Sequence, residues 1–317
     1  MRWFLLLSAS LVACGKSREE PPRPVEPASP SASGSASASD APTAPTPEGC
    51  TLLPFAETTP VPEASAAPWF TVDGKPMLVV ISDSGNDGAY GLVDPETGAT
   101  SERGTLPLGD AGDDFEGAAT RTINGVQQLV TLTSAGWVRE YTRTKNGFAL
   151  VRDAYPLAPK ETDWVCGKKK GNCARDFEGL CLSWQASTQV DIDDKWAADL
   201  CIGFAASKDD GALYCLTTTD DGTLAVDKRS IAIAKHNRMA DCAFADDGRT
   251  LYTANNIIGL FDVQRVDNWQ DAGAAKVVDL GKMGTGNPEA IAVRGKDFYR
   301  MSDSGGAPSY MWHYRCK

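Results

Sequence analysis

Asp114-Phe115-Glu116-Gly117-Ala118 and Asp176-Phe177-Glu178-Gly179-Leu180 are two copies of one five-residue pattern, and their repetition decides the fold. Pro62-Glu63-Ala64-Ser65-Ala66 and Pro288-Glu289-Ala290-Ile291-Ala292 form a second matched pair, with Ala240-Asp241-Cys242-Ala243-Phe244 as a degenerate copy. With the acidic residue as anchor, the copies fall at 63, 116, 178, 241 and 289, spaced 53, 62, 63 and 48 residues apart. That spacing suits a four-stranded blade plus loops, so the chain reads as all-β, a β-propeller. Five anchors give five blades, and the long stretch between Glu116 and Asp241 leaves room for a sixth. A β-sandwich is the alternative, but it has no account of five similar anchors.

The surrounding pattern agrees. Short apolar runs recur at 77–81, 128–132, 212–216 and 250–254. Asp-Gly or Asn-Gly pairs at 73, 87, 124, 146, 210, 221 and 247 mark tight hairpins between strands. No long amphipathic helix is predicted; residues 195–199 suggest a helical turn at most. A second repeat confirms the phase: Ile81-Ser82-Asp83-Ser84-Gly85 matches Met301-Ser302-Asp303-Ser304-Gly305, each following its own Pro-Glu motif. Three strands follow the last anchor, at 289–293, 297–302 and 309–315. The missing outer strand is expected from residues 51–55, which would make Cys50 and Cys316 neighbours.

The first residues read as an address. Arg2 precedes a short apolar run that ends at Ala13. The run is too short for a membrane helix of about 20 residues, so residues 1–13 read as a secretory signal. Leu11-Val12-Ala13-Cys14-Gly15 resembles the bacterial lipobox, which implies cleavage before Cys14 and acylation of that cysteine. Gly15 stands where inner-membrane lipoproteins often carry Asp, which points to the outer membrane. Residues 14–48 are rich in Pro, Ser and Ala and cannot bury enough apolar surface to offset their ordering entropy. They read as a disordered tether whose reach is at most on the order of 100 Å. Residues 49–317 form the propeller domain.

Nine cysteines are present. Apart from Cys14 they number eight, an even count that suits disulfides in an exported protein. Cys50–Cys316 would lock the ring and Cys166–Cys173 would pin the basic loop Lys168-Lys169-Lys170. Cys181 with Cys201 and Cys215 with Cys242 are the remaining expected pairs. There is no Cys-x-x-Cys, and His236 and His313 are the two histidines, so a structural zinc site is not expected. The net charge of −11 disfavours nucleic acid and anionic membrane surfaces.

In a propeller the start of each first strand and the end of the second share one face. Glu63, Glu116, Glu178, Asp241 and Glu289 would therefore ring one mouth of the channel, joined by Asp83 and Asp303, with Ser134 and Asn256 at related positions. Carboxylates so close must be neutralised by raised pKa values, a basic side chain or a cation. Oxygen-only ligands favour Ca²⁺ or Mg²⁺. The alternative is structural: each acidic residue caps backbone amides of the adjacent blade. No Gly-x-Ser-x-Gly elbow, phosphate-cradling loop or EF-hand spacing is present. The acidic doublets at 191–194 read as a solvated loop.

Asn287-Pro288-Glu289-Ala290-Ile291-Ala292 followed by Met301-Ser302-Asp303-Ser304 resembles the Pro-Glu-Gly-Ile-Ala … Val-Ser-Asp-Glu pattern of phytase-like esterase propellers. It is also similar in style to the gluconolactonase and strictosidine-synthase group. The resemblance implies a propeller, a metal in the channel mouth and, in several members, hydrolysis of phosphoesters or lactones. Ala290 replaces the family's Gly, Ser304 its acidic residue, and Asp241 replaces Glu in another copy. No catalytic set carries over residue by residue. The expectation is a monomeric, lipid-anchored propeller that binds a protein or glycan partner in the cell envelope. The alternative is a divalent-metal-dependent phosphoesterase or lactonase working at the channel mouth.

Overall fold

A computed structural model describes residues 45–159, 163–183, 201–232, 238–257, 260–270, 275–303, 305 and 308–317. The signal segment, Cys14, most of the tether, the 191–199 stretch, His236 and Ser304 lie outside the described residues. Among the described residues there is no helix, and none that could cross a membrane.

Five antiparallel sheets follow one another. The chain begins with β1 (Cys50–Leu53) and β2 (Thr58–Pro62). Blade 1 holds β3 (Ala64–Ala66), β4 (Trp69–Val72), β5 (Lys75–Ser82), β6 (Ala89–Val93) and β7 (Thr100–Thr105). Blade 2 holds β8 (Phe115–Ile123), β9 (Val126–Thr133), β10 (Trp137–Thr144), β11 (Gly147–Leu150) and β12 (Tyr155–Pro156). Blade 3 holds β13 (Phe177–Leu182), β14 (Gly203–Ser207), β15 (Ala212–Thr218) and β16 (Leu224–Ala232). Blade 4 holds β17 (Met239–Phe244), β18 (Thr250–Ile257), β19 (Leu260–Asp267) and β20 (Lys276–Gly281). Blade 5 holds β21 (Asn287–Arg294), β22 (Asp297–Asp303) and β23 (Pro308–Cys316), and its outer edge is supplied by β1 and β2. The fold is thus a five-bladed β-propeller closed by an N-terminal strand. Between Glu116 and Asp241 the described residues form blades 2 and 3, with no sixth sheet among them.

Local chemistry explains the hairpins. Asp73-Gly74 and Asn124-Gly125 have φ of 50° and 77°, and of 50° and 78°. They are the two-residue links that pair Val72 with Lys75 and Ile123 with Val126. Strand alternation then builds the ring. On β5, Val79 and Ile81 face blade 2 while Leu78 and Val80 face blade 5. The five apolar clusters are the five blade interfaces, including the seam between blades 5 and 1, where Leu78 and Val80 meet Ala290, Ala292 and Met301.

Cys50 and Cys316 are cross-strand partners and are bridged, and Cys166 is bridged to Cys173 within a loop. The other two expected pairs are corrected. Cys181 joins Cys242 and Cys201 joins Cys215, each with Cα atoms 5.5 Å apart. The reason is the ring: β13 lies beside β17 of the next blade, so Cys181 reaches a cysteine 61 residues away. Four disulfides belong to an oxidising compartment. Residues 45–48 already belong to the body. The Pro45 carbonyl accepts from the Gly284 N–H at 3.3 Å and the Tyr314 hydroxyl at 3.1 Å, and Pro47 is buried.

Candidate functional site

Every innermost strand carries a β-bulge near its start, and the bulge sets which side chain enters the channel mouth. The ladder skips one residue in each blade: Ser65, Glu116, Glu178, Ala240 and Glu289. Three of the five sequence anchors therefore share one structural position. Glu63 lies two residues before its bulge and Asp241 one residue after, so both are out of phase with the glutamates.

A second tier comes from the residue two before the bulge: Glu63, Asp114, Asp176, Arg238 and Asn287. A third comes from the residue that leaves the second strand: Asp83, Ser134, Lys208, Asn256 and Asp303. The two tiers are tied by backbone bonds. Asp83, Ser134, Lys208 and Asn256 donate their N–H to the carbonyls of Glu63, Asp114, Asp176 and Arg238, at 2.7, 3.3, 2.8 and 3.1 Å. Asn287 and Asp303 pair across the sheet. The ring of Asp83, Ser134, Asn256 and Asp303 expected from the repeat is present. Its fifth member, Lys208, escaped sequence reasoning. So did the part played by Asp114 and Asp176. The signals were there: Asp is repeated in Asp-Phe-Glu-Gly, and Ser precedes Asp83, Lys208 and Asp303 alike.

The mouth is crowded with carboxylates. Asp83, Asp114 and Glu116 each place a carboxylate oxygen within 4.8 Å of the others. Glu116 and Glu178 are buried. Burial, followed by the charges of Glu178, Asp83, Asp114 and Glu289, pushes the Glu116 carboxyl well above its usual range. Glu178 is raised to about 8 by burial and then by Glu289. Burial raises Glu289 to about 7 against the pull of Lys208, with Asp303 and Asp83 adding to the rise. Asp83 is raised to about 6, by burial first, while a bond from the Ser84 N–H opposes the rise. Asp114 and Asp176 are also raised by burial.

Among the described residues, Lys208 answers them directly. Lys208 Nζ lies 2.9 Å from Glu178 Oε2. Burial pulls the Lys208 pKa down, but Glu178, Glu289 and Glu116 outweigh it and hold the group above its usual range. Asn256 Nδ2 donates to Glu289 Oε1 at 2.6 Å, and Asn86 Nδ2 donates to Glu63 Oε2 at 3.1 Å. Glu178 Oε1 and Asp176 Oδ1 are buried with no hydrogen-bond partner.

Asp241 does something else. Its Oδ1 accepts the Cys242 N–H at 2.7 Å and its Oδ2 accepts the N–H of Ile291, in blade 5, at 2.8 Å. This is the amide-capping role, and it stitches blade 4 to blade 5. Further in, the channel turns apolar, lined by residues such as Ala67, Ala119, Ala243 and Ile291.

The bridged 166–173 loop leans on the mouth. The Asn172 N–H donates to Ser134 Oγ at 2.8 Å, and Ser134 Oγ donates to Asp114. Lys168 is held away from the mouth, 2.5 Å from Asp110 and over the Trp137 ring. Arg139 anchors the loop that carries Asp114, donating from Nε to the Leu108 carbonyl at 2.9 Å and from Nη2 to that of Gly112.

No protein-family model matches the chain, and no curated protein matches it. Solved structures of similar shape include the hydrazine synthase of Kuenenia stuttgartiensis, at 15% identity over 77% of this chain and 56% of that one, TM-score 0.40. A protein of unknown function from Desulfotomaculum acetoxidans matches at 15% identity over 74% of this chain and 62% of that one, TM-score 0.39. A Bacteroides uniformis protein, provisionally described as a 6-phosphogluconolactonase, matches at 15% identity over 74% and 77% of the two chains, TM-score 0.42. The chain thus spans about six-tenths of the first two. At these scores the likeness carries no functional weight, and the propeller rests on the five sheets and their closure.

Proposed function

We propose that this is an exported lipoprotein, held at the outer membrane through Cys14. Its propeller binds Ca²⁺ or Mg²⁺ at the channel mouth and, with that ion, an oxygen-rich partner or ligand of the envelope. The observation that carries the cation is the trio Asp83, Asp114 and Glu116, with three carboxylate oxygens within 4.8 Å. The donor set fits a hard ion because it is all oxygen. Glu178 Oε1 and Asp176 Oδ1, buried without partners, add unmet demand for positive charge nearby. Among the described residues the mouth's cations are Lys208, paired with Glu178, and Arg238, whose charge acts on Asp176. A bound ion would supply Lewis-acid polarisation of a ligand oxygen. The bridged 166–173 loop, through Ser134, would keep Asp114 aimed at the site. The tether would give the propeller reach from the membrane.

A hydrolase is the second reading, and one observation favours it. Burial raises the Glu289 and Glu178 carboxyls toward neutrality, the range in which a general acid or base works.

Calorimetry of the full chain with Ca²⁺ and with Mg²⁺ tests the cation. Stoichiometric binding that weakens at least about tenfold, or about 1.4 kcal/mol, in Glu116→Gln is expected. No heat, together with melting unchanged by chelator, overturns the proposal. Phosphoester and lactone panels assayed on wild type and Glu289→Gln then decide between binding and hydrolysis.

A further inference from the structure

At the seam between blades 5 and 1, at the ends of the inner strands remote from the carboxylates, lies a cleft of about 610 Å³. That volume lies in the range of small-molecule sites. Its walls include Trp69, Arg294, Asp297, Tyr299, His313 and Arg315.

The floor is rigid. Tyr299 and His313 are buried and stacked, with ring centroids 4.4 Å apart and planes 16° from parallel. Trp69 meets the edge of Tyr299 at 5.5 Å and is partly exposed. His313 Nε2 lies 2.8 Å from Asp297 Oδ1, which also takes Arg315 Nε at 2.9 Å. Arg315 is therefore neutralised by Asp297. The Tyr299 hydroxyl is occupied too, donating to the Pro95 carbonyl at 2.9 Å.

Two groups are left over. His313 Nδ1 is buried and has no hydrogen-bond partner. Arg294 is exposed on the rim with its guanidinium 5.2 Å over the Trp69 ring, and no carboxylate among the described residues pairs with it. A guanidinium stacked on the Trp69 ring at the lip of a cleft, with no carboxylate partner among the described residues, can take the carboxylate of an acidic sugar while the exposed part of Trp69 meets the sugar ring. Asp297, partly exposed on the wall, offers a carboxylate acceptor for ring hydroxyls. Glu96, exposed on the lip, disfavours a densely charged polyanion.

We propose that this cleft binds an acidic saccharide, a pyranose unit carrying a carboxylate. The site is separate from the channel mouth and does not depend on its cation. The test is titration of the full chain with galacturonate and with its methyl ester, in chelator so that no metal bridges the sugar to the mouth. Binding of the acid, at least about tenfold weaker for the ester and for Arg294→Ala, with part of the affinity restored in Arg294→Lys, is the expected result. Equal binding of acid and ester, no binding of either, or an Arg294→Ala variant that binds like wild type overturns it. Binding that appears only with Ca²⁺ and is lost in Glu116→Gln also overturns it and moves the saccharide to the mouth.

Discussion

Asp83, Glu116, Glu178 and Glu289 hold their protons more tightly in the folded protein than in an unfolded chain, through burial first. A raised carboxyl favours the folded state at low pH. That advantage is lost as pH climbs from the ordinary values, 3.8 for Asp and 4.5 for Glu, through about 6 for Asp83, about 7 for Glu289 and about 8 for Glu178. In chelator, the melting temperature is expected to fall by several degrees between about pH 5 and about pH 8.5, since roughly 1 kcal/mol moves it 2–4 °C. Saturating Ca²⁺ should flatten the curve, because an ion replaces the protons. A melt that rises over this range contradicts the account. Burial also raises the Asp241 carboxyl well above its usual range, and Asp241 differs in its bonding. Its two amide bonds sit at the blade 4 to blade 5 junction, so Asp241→Asn is expected to cost about 1–3 kcal/mol in denaturant unfolding while leaving cation affinity unchanged.

At the scale of elements, the inner strands converge so closely that two glycines are steric requirements. A Cβ on Gly117 would lie 2.4 Å from the Leu180 nitrogen, and one on Gly179 would lie 2.7 Å from the Asp241 Cα. Both follow a bulge glutamate, so the close approach and the aim of the carboxylate arise from one local device. Gly179→Ala should destabilise by about 1–3 kcal/mol or more, read from urea midpoints, because backbone must move. Much of this element level was legible. Alternation and Asp-Gly or Asn-Gly pairs mark the hairpins because they act over two to five residues. The bulges were not legible, since a one-residue slip in pairing has no composition of its own. That slip is why Glu63 and Asp241 look like anchors in the sequence but do not stand level with Glu116, Glu178 and Glu289 in the ring.

For the whole molecule, ring closure is the dominant constraint. The Cys50–Cys316 bridge spans 266 residues and ties β1 to β23. By chain entropy a loop of that length is worth roughly 5–6 kcal/mol, with measured bridges commonly about 2–5. Cys50→Ser with Cys316→Ser should therefore lose about that much stability, read by urea unfolding with the other three bridges intact. A variant as stable as wild type would mean that the strand pairing and the blade 5 to blade 1 core close the ring unaided.

The amino-acid sequence alone determined the β class, the blade repeat, the closing strand and the pairings of Cys50 with Cys316 and Cys166 with Cys173. Each rests on local periodicity, on turn chemistry or on a short loop, or on the need of the last blade for a fourth strand. Tertiary structure alone decided that Cys181 meets Cys242, that Lys208 faces Glu178, that Asp114 joins Asp83 and Glu116, and that Asp241 caps the next blade. These partners are set by which residue bulges and by which inner strands the ring lays side by side. Both are settled only when the sheets pack face to face, beyond the reach of any pattern along a single strand.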